Sequence, residues 1–176
     1  LKEKDIRKIS ADITYYAAGI FLAGISSVTE EGTTGSLLNM FSSAVATAGL
    51  FVICTLIMYA TGSANIERIK GIGIKMPKLL MLSLPIYAAF CFIPFIGNFV
   101  PLLLVLNATL SSFINSDNFV LFLIISEIII IPPAIFSSIT RFFQKIFLYK
   151  NNIFKREIKD IRAGSEITLI LIILCL

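Results

Sequence analysis

Leu79–Ile114 reads LLMLSLPIYAAFCFIPFIGNFVPLLLVLNATLSSFI, 36 residues without a single charge. A helix crosses a bilayer with about 20 apolar residues. The run is therefore too long for one crossing and barely long enough for two. Pro94, Gly97 and Asn98 fall near its middle, flanked by Pro85 and Pro101. Proline removes a backbone donor and crowds the preceding turn, and Gly-Asn is turn chemistry. The run reads as a proline-broken helical hairpin, or as one crossing followed by a re-entrant element. Either makes this an all-α, polytopic helical membrane protein.

The rest of the chain agrees. It is 57% hydrophobic and 15% charged, whereas a soluble domain is about 45–50% apolar and about 25% charged. We expect one membrane domain over 1–176 with four to six hydrophobic segments. These are 10–28, 37–61, 79–114 as one or two segments, 119–139, and an incomplete one at 167–176. Ala18, Gly19, Ala23 and Gly24 supply small residues for close helix approach. Asp12 reads as an N-terminal cap. The chain starts at Leu1 and ends in an apolar run about half a span long, the pattern of a trimmed polypeptide.

All 15 Lys and Arg fall in residues 2–8, 68–78 and 141–162, while the loop at 29–36 carries Glu30 and Glu31 and no base. The positive-inside rule places the basic blocks on the cytoplasmic face of a cell (inner) membrane or an endomembrane, against anionic lipid. Both sides of residues 79–140 must then be cytoplasmic. That requires an even number of crossings between them: one in the central run plus one at 119–139, or a hairpin followed by a segment that enters and leaves on one side. The first is preferred. Residues 1–9 and 140–162 are expected to be amphipathic helices on the membrane surface. In the second, Phe143, Phe147, Phe154, Ile158 and Ile161 form the apolar face, and Arg141, Lys145, Lys150, Lys155, Arg156, Lys159 and Arg162 are the membrane-surface bases.

Little points to catalysis. There is no His, and Cys54, Cys91 and Cys175 lie scattered in apolar runs, so no metal or cofactor set forms. Gly71 and Gly73 lack the rest of a phosphate loop, and the basic blocks lack the aromatic platforms of nucleic-acid binders. The candidate intramembrane polar site is Glu127 with Asn98 and Asn107. A carboxylate in mid-span costs a few kcal/mol and is rarely idle. It serves as an ion site or as a hydrogen-bonded packing group.

From Phe51 to Ile139 the pattern resembles the Yip1-like membrane proteins. It has a span, a basic linker ending in Pro77-Lys78, then Leu84-Pro85 early in the next apolar run and Ile93-Pro94-Phe95-Ile96-Gly97 further on. The resemblance implies a five-span bundle with a cytoplasmic N-terminus that works through partners and lipids. The expected function is thus that of a non-enzymatic subunit or scaffold of a membrane assembly, of trafficking or secretion type. Its partners would be the bilayer and other membrane subunits or further copies of itself, without nucleic acid. The alternative is a small transporter or channel subunit using Glu127 and the broken central segment.

Overall fold

The computed structural model describes residues 4–94, 96–116, 124, 129, 132–133, 136–149 and 163–176. Among them the chain is all helical, apart from an isolated bridge between Asp5 and Asn65. The helices are α1 (Ile6–Ser26), α2 (Glu30–Thr61), a short α3 (Ile66–Ile69), α4 (Pro77–Phe90) and α5 (Phe99–Ser116). Helical residues 136–143, here α6, run into a π-helical turn at Gln144–Leu148, and α7 is Ala163–Cys175.

The longest helix, α2, is the spine. Thr29 caps it by accepting from the Gly32 amide at 3.0 Å, and Glu30 and Glu31 in its first turn complement the helix dipole. Gly62 ends it in the left-handed conformation, φ +68°, and its amide returns to Met58 O. With 32 residues it is about 48 Å long, enough to cross a bilayer at a tilt.

Helix α1 lies alongside. Side chains of α2 tie it down by bonding its backbone: Ser36 donates to Phe21 O and Asn39 to Ala17 O, both at 3.0 Å. Its start is fixed at the far end of α2, where Ile6 N bonds Ala64 O and Ile66 N bonds Lys4 O. Two sequence expectations change here. Residues 6–9 are the first turns of α1 and not a separate surface helix, because Ile6 and Ile9 bury against the bundle. The cap is Asp5, which accepts from Arg7 N at 2.9 Å, while Asp12 sits within the helix.

Helices α4 and α5 follow one another along α2 in a single antiparallel pass. Ile86 packs on Gly49, Asn98 bonds Ser42, Leu104 and Val105 sit on Gly35, and Asn107 bonds Glu31. The partner number rises as the α2 number falls. Regular helix stops at Phe90 and resumes at Phe99. Pro77 opens α4 at a position where no amide partner is needed. Pro85 lies inside the helix.

Phe142, Phe143, Ile146 and Phe147 join the main buried cluster with Ile53, Ile57, Ile72 and Leu79. The Phe143 ring stacks on Tyr87 at 4.7 Å, and Lys145 O accepts from Gly71 N. The apolar face expected to enter the headgroup layer is therefore covered by the protein itself as far as Phe147. Residues 150–162 lie outside the described residues. Helix α7 starts at the same end, with Glu166 paired to Lys78 at 2.7 Å. It runs beside α4 so that Leu176 reaches Gly97.

Candidate functional site

Between α4 and α5 the bundle departs from regular helix beside buried polar groups. Cys91 closes α4, its amide shared between Tyr87 O and Ala88 O at 3.1 Å each. Phe92 then takes a left-handed conformation, φ +53°, unusual for a bulky residue. Gly97 takes the same region at φ +52°, where a Cβ would also meet the Ala89 side chain at 2.8 Å. Only glycine suits both demands. Pro101, in the first turn of α5, costs no internal hydrogen bond.

Asn98 follows and is 4% exposed. The Ser42 hydroxyl donates to its Oδ1 at 2.6 Å, with Leu38 O at 2.9 Å as the alternative acceptor. Ser42 belongs to a polar stretch of α2. Ser36, Asn39, Ser43 and Thr47 recur there at helical spacing, all buried. Ser43 donates to Asn39 O, and Asn39 reaches across to α1. Tyr16 of α1 makes a T-shaped contact with Phe92 at the break, ring centroids 6.0 Å apart, and its hydroxyl is buried without a hydrogen-bond partner among the described residues. The result is a layer of neutral donors and acceptors beside an opened helix. It can orient water and pass hydrogen bonds. Among the described residues it holds no carboxylate or basic group.

The sequence-predicted residues separate. Asn98 is at the break. Asn107 is not: it lies two turns away, donating to Glu31 Oε2 at 2.9 Å at the exposed end of α2. Glu127 lies outside the described residues, as do Lys150, Lys155, Arg156, Lys159 and Arg162. Arg141 is exposed and Lys145 half-buried, at the end that also carries Lys4, Arg7, Arg68 and Lys70. At that end the Arg7 guanidinium pairs with Asp5 at 2.8 Å, and this hydrogen bonding holds the Asp5 carboxyl down at about 2. Hydrogen bonding from Lys70 likewise lowers Glu67. The sequence reading missed Ser42 and Tyr16, because their significance depends on partners 56 and 76 positions away.

A bundle of long apolar helices defines a class, that of polytopic helical membrane proteins. Family comparison narrows it. The chain belongs to the NADH:quinone oxidoreductase/Mrp antiporter transmembrane family, whose model matches residues 1–130. It is 26% identical over 139 residues to the chloroplast NAD(P)H-quinone oxidoreductase chain 4 of Psilotum nudum, covering 77% of this chain and 28% of that protein. It is 32% identical over 104 residues to NADH-quinone oxidoreductase subunit 13 of Thermus thermophilus, covering 57% of this chain and 22% of that subunit. A chain of respiratory complex I from Thermus thermophilus with bound NADH superposes with a TM-score of 0.83 at 25% identity, covering 98% of this chain and 34% of that one. This chain thus spans about a third or less of the relatives it matches.

These findings correct two expectations. The chain is not Yip1-like: its Leu-Pro and Ile-Pro-x-x-Gly elements sit in a helix and a break of a different family. A trafficking or secretion scaffold is likewise overturned, since the relatives are chains of quinone oxidoreductases. The chain is integral to the membrane, as its family is.

Proposed function

We propose that this chain is part of a proton-translocating membrane subunit of an NADH- or NAD(P)H-quinone oxidoreductase. Its break at 91–98 borders the proton path. The observation that carries this reading is the buried Asn98, bonded by the half-buried Ser42, where regular helix is interrupted between α4 and α5. The interrupted ladder leaves backbone carbonyls and amides at the two helix ends, and polar groups at such depth hold water where a continuous helix would exclude it.

Neutral groups pass a proton but do not hold one. A titratable residue is required, and between Lys78 and Arg141 the carboxylates of the sequence are Asp117 and Glu127. Glu127, within an apolar segment, is the better placed of the two by sequence. Burial of a carboxyl raises its pKa and lets it take up and release a proton near neutral pH. On this reading the chain's contribution is the proton path, with the basic end facing the cytoplasm or its equivalent compartment.

The test uses the full-length subunit in its assembled complex, in proteoliposomes. Glu127→Gln keeps the hydrogen bonding and removes the charge. Proton uptake driven by NADH should fall at least severalfold while quinone reduction continues. Undiminished proton uptake would reject Glu127 as the carrier. Undiminished uptake in Asn98→Leu as well would reject the break as part of the path.

A further inference from the structure

The stretch that carries Glu127 meets the surroundings of the break at two places, one before that residue and one after it. Before it, Ile124 and Phe92 pack against the same small cluster, Ile20 and Val105. After it, Thr140 of α6 meets the end of α4, where its hydroxyl and that of Tyr87 share a hydrogen bond of 2.9 Å. The Cys91 thiol is hydrogen-bonded to both. Cys91 closes α4, and Tyr87 O is one of the two acceptors of its amide. Three polar side chains thus tie α6 to the turn from which the break departs.

Attachment of α6 does not depend on them. Ile139 and Phe142 of α6 line an apolar pocket with Leu50, Ile53, Ile86 and Phe90, and Lys145 O accepts from Gly71 N further along. Apolar contact has no direction and tolerates a small slide or rotation. A hydrogen bond does not, because it weakens steeply once its distance or angle is lost. The hydroxyl pair therefore sets the register of α6 against the break, and the Phe143 ring, stacked on Tyr87 at 4.7 Å, steadies the same face. Upstream in the same stretch Ile129, Pro132 and Pro133 are helical. A shift of α6 is passed along such a stretch toward Glu127.

We infer that Tyr87 is a positioning residue for proton transfer: through Thr140 it holds the stretch that carries Glu127 in register with the break. The inference rests on the proton-path reading above. A hydroxyl that itself passed the proton would be needed as a hydroxyl, whereas a positioning contact can be replaced by any link of the same geometry. The experiment uses the full-length subunit in its assembled complex, in proteoliposomes, with every cysteine of the subunit but Cys91 replaced by alanine. Tyr87→Phe keeps the ring and its stack and removes the hydrogen bond. The ratio of protons taken up to quinone reduced should fall severalfold. Thr140→Val should lower it alike, and Thr140→Ser should keep it. Thr140→Cys added to Tyr87→Phe sets a second thiol against Cys91. With both thiols reduced the ratio should stay low. Diamide takes the two thiol hydrogens as the sulfur–sulfur bond forms, and the ratio should then recover. A disulfide without recovery would mean that the hydroxyls carry the proton themselves, and would overturn the positioning role. No disulfide would contradict the contact of Cys91 with Thr140. An unchanged ratio in Tyr87→Phe and Thr140→Val would overturn the inference alone, while an unchanged ratio in Glu127→Gln would overturn the reading beneath it.

Discussion

Replacing Gly35 by alanine tests the packing that holds the broken segment against its spine. A Cβ there would stand 2.8 Å from Leu104 Cβ and 3.1 Å from both Val105 Cγ2 and Val105 N. Carbon atoms rest at about 3.5–4.0 Å, so α5 must retreat by roughly 0.7 Å or more. The obstacle is backbone and Cβ, which no side-chain rotation relieves. Overpacking of this kind costs about 1–3 kcal/mol, or about 5- to 150-fold in the folded population. Gly19→Ala is the control. Its Cβ meets nothing within 4 Å, and alanine favours helix over glycine, so it should be neutral or mildly stabilising. Reversible unfolding in mixed detergent micelles reads both. Gly35→Ala as stable as Gly19→Ala would refute the close approach of α5 to α2.

Ser42→Ala should destabilise by about 1 kcal/mol, the range of interhelical hydrogen bonds in membranes, and Ser42→Thr should recover part of it; the same micelle titration decides. Asp5 titrates at about 2 because Arg7 hydrogen-bonds it. A depressed carboxyl contributes stability in full above its unfolded value near 3.8, and loses it as pH falls toward 2. Protection of the α1 N-terminal amides against hydrogen exchange should therefore decline over that window, and Asp5→Asn should flatten the decline. Lys78→Glu should loosen α7 by about 0.2–1 kcal/mol, the range of exposed ion pairs, and Glu166→Lys in the same chain should restore it. Loss of the same size in the double variant would show that the pair is not the link.

The break was legible in the sequence because Pro94, Gly97 and Asn98 each oppose helix for a separate reason, and their effects coincide. The membrane class was legible from the length of the apolar runs. What covers each apolar face was not. Phe143 and Phe147 have the spacing of an amphipathic helix whether lipid or protein lies opposite, and here Tyr87 and Gly73 do. The cap of α1 was misplaced for a similar reason. Asp5 and Asp12 both precede apolar residues, and the pairing of residues 4–6 with 64–66 selects Asp5. Asn98 was visible as a polar group in an apolar run, but its partner Ser42 lies on another helix. The family was missed because Pro and Gly punctuation of apolar runs follows from helix breaking in general and carries little ancestry.

A single broken pass of residues 77–116 along α2 underlies every functional step proposed above, and thiol labelling in sealed vesicles tests it. In a background with Cys54, Cys91 and Cys175 replaced by alanine, single cysteines at Thr33, Ser63 and Ser112 are probed with an impermeant reagent from each side. Ser112 bonds Ser27 O near the start of α2, so positions 33 and 112 should label from one side and position 63 from the other. Labelling of 112 from the same side as 63 would mean that the run turns back as a hairpin, and would contradict the broken crossing.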